Sequence, residues 1–344
     1  MMDICYASNE NYVPYLAVSM FSCILHNLQD APLCFHVISN GITAESRKKL
    51  QENAELARKS CKAGKEENCV RLNFYELSDL PGRLGGDPDT GSYDISMLGR
   101  FFIGELLPED VGELLYLDCD TIIADSLLPL FSHRKETGRM LYGVPEPTIY
   151  RSIVKQLSLK PDRELYINSG VLLVNLDRWR TAHAGERLLQ FYIKNGSRLF
   201  CGDQDAVNFV LRGEIGYLSP RYNFFTNYKY FRYNTLVRLW PLYARAAGGR
   251  EAFEKAGRQP AVIHYMGAER PWLKGNRNPY RRQYEEMLAL SAFAGRQPEK
   301  GKELQMTCYH LMNLVSFICP PARTFISRCF ERKHVLPRLA ELEE

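Results

Sequence analysis

LLYLDCDT, residues 114–121, decides how this chain is read. Residues 114–117 form an apolar run suited to a buried strand, and the chain leaves it through Asp118 and Asp120, with one small residue between them. Side chains alternate faces along an extended chain, so both carboxylates project to one side at the strand's carboxyl end. Two like charges held that close repel unless a cation sits between them. A divalent ion meets that need, and hard oxygen ligands favour magnesium or manganese. An isolated Asp-x-Asp also reads as a polar turn after a strand, so the rest of the chain has to discriminate.

Upstream, residues 3–7 (DICYA) and 34–39 (CFHVIS) read as strands, with helical spacing over 15–28 between them. A further helix follows Asn40-Gly41, with Thr43 placed to cap it, and residues 72–77 give a third strand. Strands alternating with helices predict parallel crossover units, in which ligands collect at the carboxyl ends of the strands. Neither a Gly-x-Gly-x-x-Gly after the first strand nor a Gly-x-x-x-x-Gly-Lys is present, which removes the common dinucleotide and triphosphate readings. Gly85, Gly86 and Gly91 fall between Pro81 and Ser92 in a Pro/Asp-rich stretch expected to be a surface loop.

With 344 residues, 45% of them hydrophobic and 24% charged, the chain can bury a sizeable core as one large domain with an appendage or as two domains. The net charge of +4 comes with no basic stripe and no nucleic-acid motif, so no nucleic acid is expected as a partner. Ten cysteines lie scattered between Cys5 and Cys329 without paired spacing, and residues 1–6 do not resemble a secretory signal. Free thiols in a reducing cytoplasm are the expectation. Cys61 and Cys69 are too far apart for a zinc knuckle.

Three further clusters support the metal reading. Residues 166–179 (YINSGVLLVNLDRW) set Asn168 and Ser169 before a buried strand, with Asp177 available to cap the next helix. GDQD, residues 202–205, leads into a helical pattern, and VIHYMGAERPW, residues 262–272, ends a strand at His264 and supplies Gly267 and Arg270. With DICYASNENY at 3–12, LGRFFIGELL at 98–107 and CGDQDAVN at 201–208, these stretches resemble a retaining glycosyltransferase of family eight, in the same order over residues 2–272.

That resemblance implies an α/β, GT-A, Rossmann-like nucleotide-sugar-binding domain at 1–275, followed by a helical C-terminal extension at 276–344. It implies transfer of a hexose, galactose or glucose, from a UDP-sugar donor to a cell-surface glycan or glycolipid acceptor, with manganese or magnesium as cofactor. By matching positions, Ala7, Asn9 and Asn11 face the nucleotide; Asp118, Asp120 and His264 hold the metal; Gly267 and Arg270 contact the diphosphate; and Arg100, Asn168, Ser169, Asp203 and Gln204 line the donor sugar. Gln204 and Asp203 are the catalytic candidates. An amide is a poor nucleophile, so front-face displacement, in which the leaving phosphate helps deprotonate the acceptor, is expected over a covalent intermediate.

Arg270 stands where the family usually has lysine, and Asn9 replaces a frequent aspartate. GVPEPTIY, at 143–150, matches poorly, which leaves Glu146 as an acceptor-side contact only by position. Turn or cap roles for Asn9, Asn11 and Asp203 are the plain alternatives. Two other functions compete: a catalytically silent nucleotide-sugar or glycan binder, and a phosphatase of the haloacid dehalogenase type using the same Asp-x-Asp.

Aromatic residues crowd 222–243; they read as core, with a sugar-stacking platform as the alternative. Residues 298–302 read as a linker, and Leu311, Leu314, Val315 and Ile318 then recur at helical spacing until Pro320-Pro321. Beyond them Phe325, Ile326, Cys329 and Phe330 alternate with Arg323, Arg328, Arg332 and Lys333. Such a segment suits peripheral contact with an anionic membrane at the inner face of the plasma membrane, or docking on the main domain.

Overall fold

The computed structural model describes residues 1–61, 69–77, 79–84, 86, 94–131, 138–267 and 269–343. Of the loop expected between Pro81 and Ser92, residues 85 and 87–92 lie outside these; Leu80–Arg83 forms a single helical turn.

A seven-stranded sheet organises the chain. It contains β1 (Met2–Asn9), β2 (Leu33–Asn40), β3 (Val70–Glu76), β4 (Glu113–Leu117), β6 (Leu141–Pro145), β7 (Ile167–Asn175) and β8 (Ile215–Tyr217), in the order β3-β2-β1-β4-β7-β6-β8. The expected strands at 3–7, 34–39, 72–77 and 114–117 are β1 to β4, and these four are parallel to one another. Parallel pairing does not extend across the whole sheet. β7 runs antiparallel to both β4 and β6, a reversal that alternation of strands and helices gives no sign of. A small second sheet joins β5 (Thr121–Ile123), β10 (Val262–His264) and β9 (Phe224–Phe225).

The period-two alternation of β1 feeds two cores. Ile4 and Tyr6 pack with Phe21 and Phe35 on one face of the sheet, whereas Cys5 packs with Leu98, Tyr116 and Trp179 on the other. Helix Val13–Asn27, slightly longer at its start than the spacing predicts, is buried along most of its length. Thr43 caps helix Ala44–Ser60 as expected, accepting from Ser46 N at 3.2 Å. Asp177 does not cap helix Leu176–Thr181; Asn175 does, because its side chain leaves β7 at the Ncap position and accepts from Arg178 N at 3.1 Å. Most of the aromatic crowd is core, with Phe224, Phe225, Tyr228, Trp240 and Tyr243 all buried.

Residues 298–302 are tied to the body: Lys274 N donates to Glu299 O and Glu299 N to Trp272 O, each at 2.8 Å. Helix Glu303–Ile318 buries Met306, and its Asn313 donates to Glu269 Oε2 at 3.1 Å. Helix Pro320–Phe330 begins on the proline pair, which suits the first helical turn. Just after it, Glu331 accepts from the Ser152 backbone N–H at 3.0 Å and its hydroxyl at 2.6 Å. The extension therefore docks on the α/β body, while Leu311, Leu314, Phe317, Ile318 and Phe325 remain exposed.

Candidate active site

Strand geometry assembles the site from distant segments. Because β7 is antiparallel to β4, its first residues reach the carboxyl end of β4: Leu117 pairs with Val171, and Asp118 N donates to Gly170 O at 2.8 Å. Asn168, Ser169 and Gly170 thereby stand beside the acidic pair. The small sheet delivers the histidine, since Thr121 of β5 pairs with His264 of β10 and Tyr265 N donates to Asp120 O at 3.0 Å. Asp118, Asp120 and His264 each offer an atom, and those atoms lie within 4.8 Å of one another.

Hydrogen bonds fix the orientation of this histidine. Gly170 N–H donates to Asn168 Oδ1 at 2.9 Å, which identifies that atom as oxygen. Asn223 must then point its Nδ2 at the same atom, also at 2.9 Å, and turn its Oδ1 to His264 Nδ1 at 2.9 Å. Nδ1 carries a hydrogen, and Nε2 faces Asp120 Oδ1 at 3.2 Å. A neutral ring and a carboxylate are both acceptors, so this contact requires a proton or a metal ion. Burial opposes a charge on His264, but Asp120 outweighs burial and raises its pKa. Burial likewise opposes ionisation of Asp120, yet His264 and Arg270 hold its carboxyl below the usual range. Two carboxylates and an oriented imidazole converging on one point fit a divalent ion.

Arg100 is buried against the acids. It donates to Asp118 Oδ1 at 2.9 Å and Ser169 O at 2.5 Å, lies 3.0 Å from Asp203 Oδ2, and sits over the Tyr116 ring. Gly202, at φ +51° and ψ −118°, lets the chain turn sharply into helix Asp203–Val210, a conformation that only glycine adopts readily. Burial raises the Asp203 pKa to about 6, with Arg100 partly offsetting it. Ser169 Oγ donates to Asp203 at 3.1 Å.

Gln204 is pinned on every side. Its Oε1 accepts from Ser169 N–H at 3.0 Å and Asn168 Nδ2 at 2.8 Å; its Nε2 donates to Glu146 Oε2 at 3.1 Å and Tyr166 OH at 2.9 Å. Tyr166 in turn donates to buried Asp205 at 2.6 Å. Burial pushes the carboxyl pKa of Glu146 up to about 7 and that of Asp205 up to about 6, although both accept hydrogen bonds. Both hold protons in the folded chain at a pH where the unfolded chain has lost them. Their contribution to stability therefore grows as pH falls from above 7 toward 4 and is lost as pH rises. The metal-free protein should melt at a higher temperature at about pH 5.5 than at about pH 8, with a smaller difference in Glu146→Gln. The reverse order in scanning calorimetry would contradict these assignments.

Ala7, Arg100, Asp118, Asp120, Asn168, Ser169, Asp203, Gln204, His264, Gly267 and Arg270 all line one cavity of about 550 Å³. Asn9 and Asn11 are not among its lining residues: Asn9 spends its side chain on Tyr12 N at 3.1 Å, as a turn residue, and Asn11 is exposed. Arg270 lies between the Tyr12 and Trp272 rings, 3.7 Å from Asp120 Oδ2. Tyr12, Gly170, Asn223, Tyr166 and Asp205 were not singled out from the sequence. Tyr12, Tyr166, Gly170 and Asp205 sit inside the motif stretches, but nothing marks Asn223 until β9 and β10 pair.

A family model described as glycosyl transferase family 8 matches residues 3–275. Among curated relatives, the Bacillus subtilis general stress protein A is 25% identical over 85% of this chain and 94% of its own length. The Escherichia coli lipopolysaccharide 1,2-glucosyltransferase is 25% identical over 88% and 82%. Among solved structures, a galactosyltransferase crystallised with donor and acceptor sugar analogues aligns with a TM-score of 0.68 at 24% identity, covering 87% of this chain and 98% of its own. That likeness shows the α/β GT-A fold with a helical C-terminal region.

Proposed function

The chain belongs to glycosyl transferase family 8, a family of glycosyltransferases, and from that premise we propose that it moves glucose or galactose from a UDP-sugar to a cell-surface glycan or glycolipid, with retention at the anomeric carbon. The convergence of Asp118, Asp120 and His264 carries this reading. These three residues would hold manganese, or magnesium, and the ion when bound supplies Lewis acidity to the departing diphosphate. An intact, hydrogen-bonded set of acids, amides and histidine favours an active enzyme over a silent binder.

The protein's own groups then have distinct tasks. Arg270, next to Asp120, answers charge on the diphosphate. Asp203 and the Asn168–Ser169 backbone orient sugar hydroxyls, and Arg100 holds Asp203 in place. Gln204 cannot swing freely, because four hydrogen bonds fix its amide; it presents an oriented dipole below the anomeric carbon instead of attacking it. This favours front-face displacement, with the leaving phosphate accepting the acceptor's proton.

A panel of nucleotide sugars with manganese tests the reading through slow donor hydrolysis, which needs no acceptor. A UDP-hexose is expected to release UDP only with metal present. Equal release in chelator would refute it.

We further propose peripheral contact with anionic lipid at the inner face of the plasma membrane. No helix among the described residues is long and apolar enough to cross a membrane. Exposed Leu311, Leu314, Phe317 and Ile318 are followed by exposed Phe325, Ile326 and Phe330, which are interleaved with the basic residues Arg328, Arg332 and Lys333, the composition of an interfacial segment. The full chain should co-sediment with anionic vesicles, and Leu314→Glu/Phe317→Glu should release it. Equal partitioning of the two proteins would remove the idea.

A further inference from the structure

The cavity has a second end, remote in sequence from the acidic pair and floored in part by the extension. Thr148, Tyr150 and Arg151 line it, as do Phe231 and Leu239, and Arg323, Ser327, Arg328 and Glu331 close it from the C-terminal helix and the residue that follows it. Tyr150 locks this wall in place, stacking on Phe330 with ring centroids 6.1 Å apart and meeting Phe200 edge-on at 6.0 Å.

Three guanidinium groups share this end. Among the described residues no carboxylate lies within ion-pair distance of Arg151, Arg323 or Arg328. The carboxylate nearest in sequence, Glu331, is engaged by Ser152. Arg151 donates to Leu239 O at 3.2 Å and lies over Trp240. Arg323 Nη1 is buried with no hydrogen-bond partner. A buried donor left unpaired costs about 1–3 kcal/mol, and unpaired like charges around one cavity add to that cost. At the other end Arg100 and Arg270 each face a carboxylate, so the unmatched charge is confined to the extension's side.

We propose that this arginine-lined end binds an anionic group carried by the acceptor glycan, a phosphate ester or a carboxylate. The planar guanidinium fork matches both groups in a bidentate manner. The inference rests on the transferase reading, which places the donor at the Asp120–Arg270 end and leaves this one for the acceptor. It gives the extension a role in acceptor choice: Arg323 and Arg328 confer the charge preference, and the Ser152–Glu331 contact positions them.

The test is a binding titration of the full chain with glucose 6-phosphate, glucuronate and glucose, run with and without saturating UDP and manganese to fill the donor end. Both anions should bind at least about tenfold more tightly than glucose, and the gap should narrow as salt is raised. Arg323→Gln should reduce the gap severalfold, Arg323→Lys should retain part of it, and Arg323→Gln/Arg328→Gln should abolish it. Tighter binding of glucose 6-phosphate assigns a phosphate ester; tighter binding of glucuronate assigns a carboxylate. Equal binding of the three probes, no measurable binding of either anion, or a gap that survives in the double variant overturns the proposal. Failure of the donor-hydrolysis panel would remove the transferase reading and leave the anion titration standing. Failure of the titration with hydrolysis intact removes only this acceptor assignment.

Discussion

Replacing Asp120 with alanine should lower metal-supported turnover of the nucleotide sugar by about 10³-fold or more, since a Lewis acid on the leaving group supplies several kcal/mol of transition-state stabilisation. Asp120 faces His264 with one oxygen and Arg270 with the other, and its removal leaves a buried imidazole and a guanidinium without their common partner. Stability should change much less than activity, because Asp120 N and O remain in the chain and the β5–β10 pairing does not depend on the carboxyl group. Initial rates of UDP release over a manganese series, with a melting curve for each protein, check both halves. Turnover within tenfold of the parent at saturating metal would show that Asp120 does not carry the ion.

Gly170→Ala is the second large effect, and it acts with no change of charge. A Cβ at Gly170 would lie 2.4 Å from His264 Cε1 and 2.8 Å from Asp118 Oδ2. Neither group can yield freely: His264 is buried and held through Nδ1 by Asn223, while Asp118 is held by Arg100. Overpacking of this kind costs about 1–3 kcal/mol of stability, and displacing an oriented group by about 1 Å costs about 10² in rate. The variant should therefore fold, bind manganese more weakly, and turn over about 100-fold more slowly. Titration calorimetry with manganese and donor-hydrolysis kinetics measure the two losses. Parental metal affinity in Gly170→Ala would mean that His264 and Asp118 are not both ligands.

The legible parts of the fold were those written in local pattern. The apolar runs of β1 to β4, the Thr43 cap and the proline-started last helix each follow from residues adjacent in sequence. The antiparallel β7 was not legible, because a strand buried on both faces looks the same in either direction. That direction is what carries Asn168, Ser169 and Gly170 to the acidic pair. The cap after β7 failed for a smaller reason: Asn175 and Asp177 are both good capping types, and only the exit angle of the strand selects Asn175.

Among the candidate site residues, those whose chemistry is conspicuous can be named from the sequence, and those that orient them cannot. Asp118, Asp120 and His264 stand out by charge and motif, whereas Asn223, which sets the histidine tautomer, is one more asparagine until the small sheet forms. Asn9 and Asn11 show the converse, polar residues in a matching stretch that the fold uses for a turn and for solvent. The apolar and basic alternation of the tail describes its outer surface; Arg323 lines the cavity and Glu331 meets Ser152 on the body, and no sequence pattern marks either placement.

Pulsed electron paramagnetic resonance of manganese bound to the full chain in the presence of UDP addresses the central claim most directly, that Asp118, Asp120 and His264 grip a single ion. The structure predicts one bound manganese whose spectrum carries nitrogen modulation from an imidazole, lost in His264→Ala, with binding itself lost in Asp120→Ala. Manganese held without nitrogen coordination, or held equally well by both variants, would contradict it.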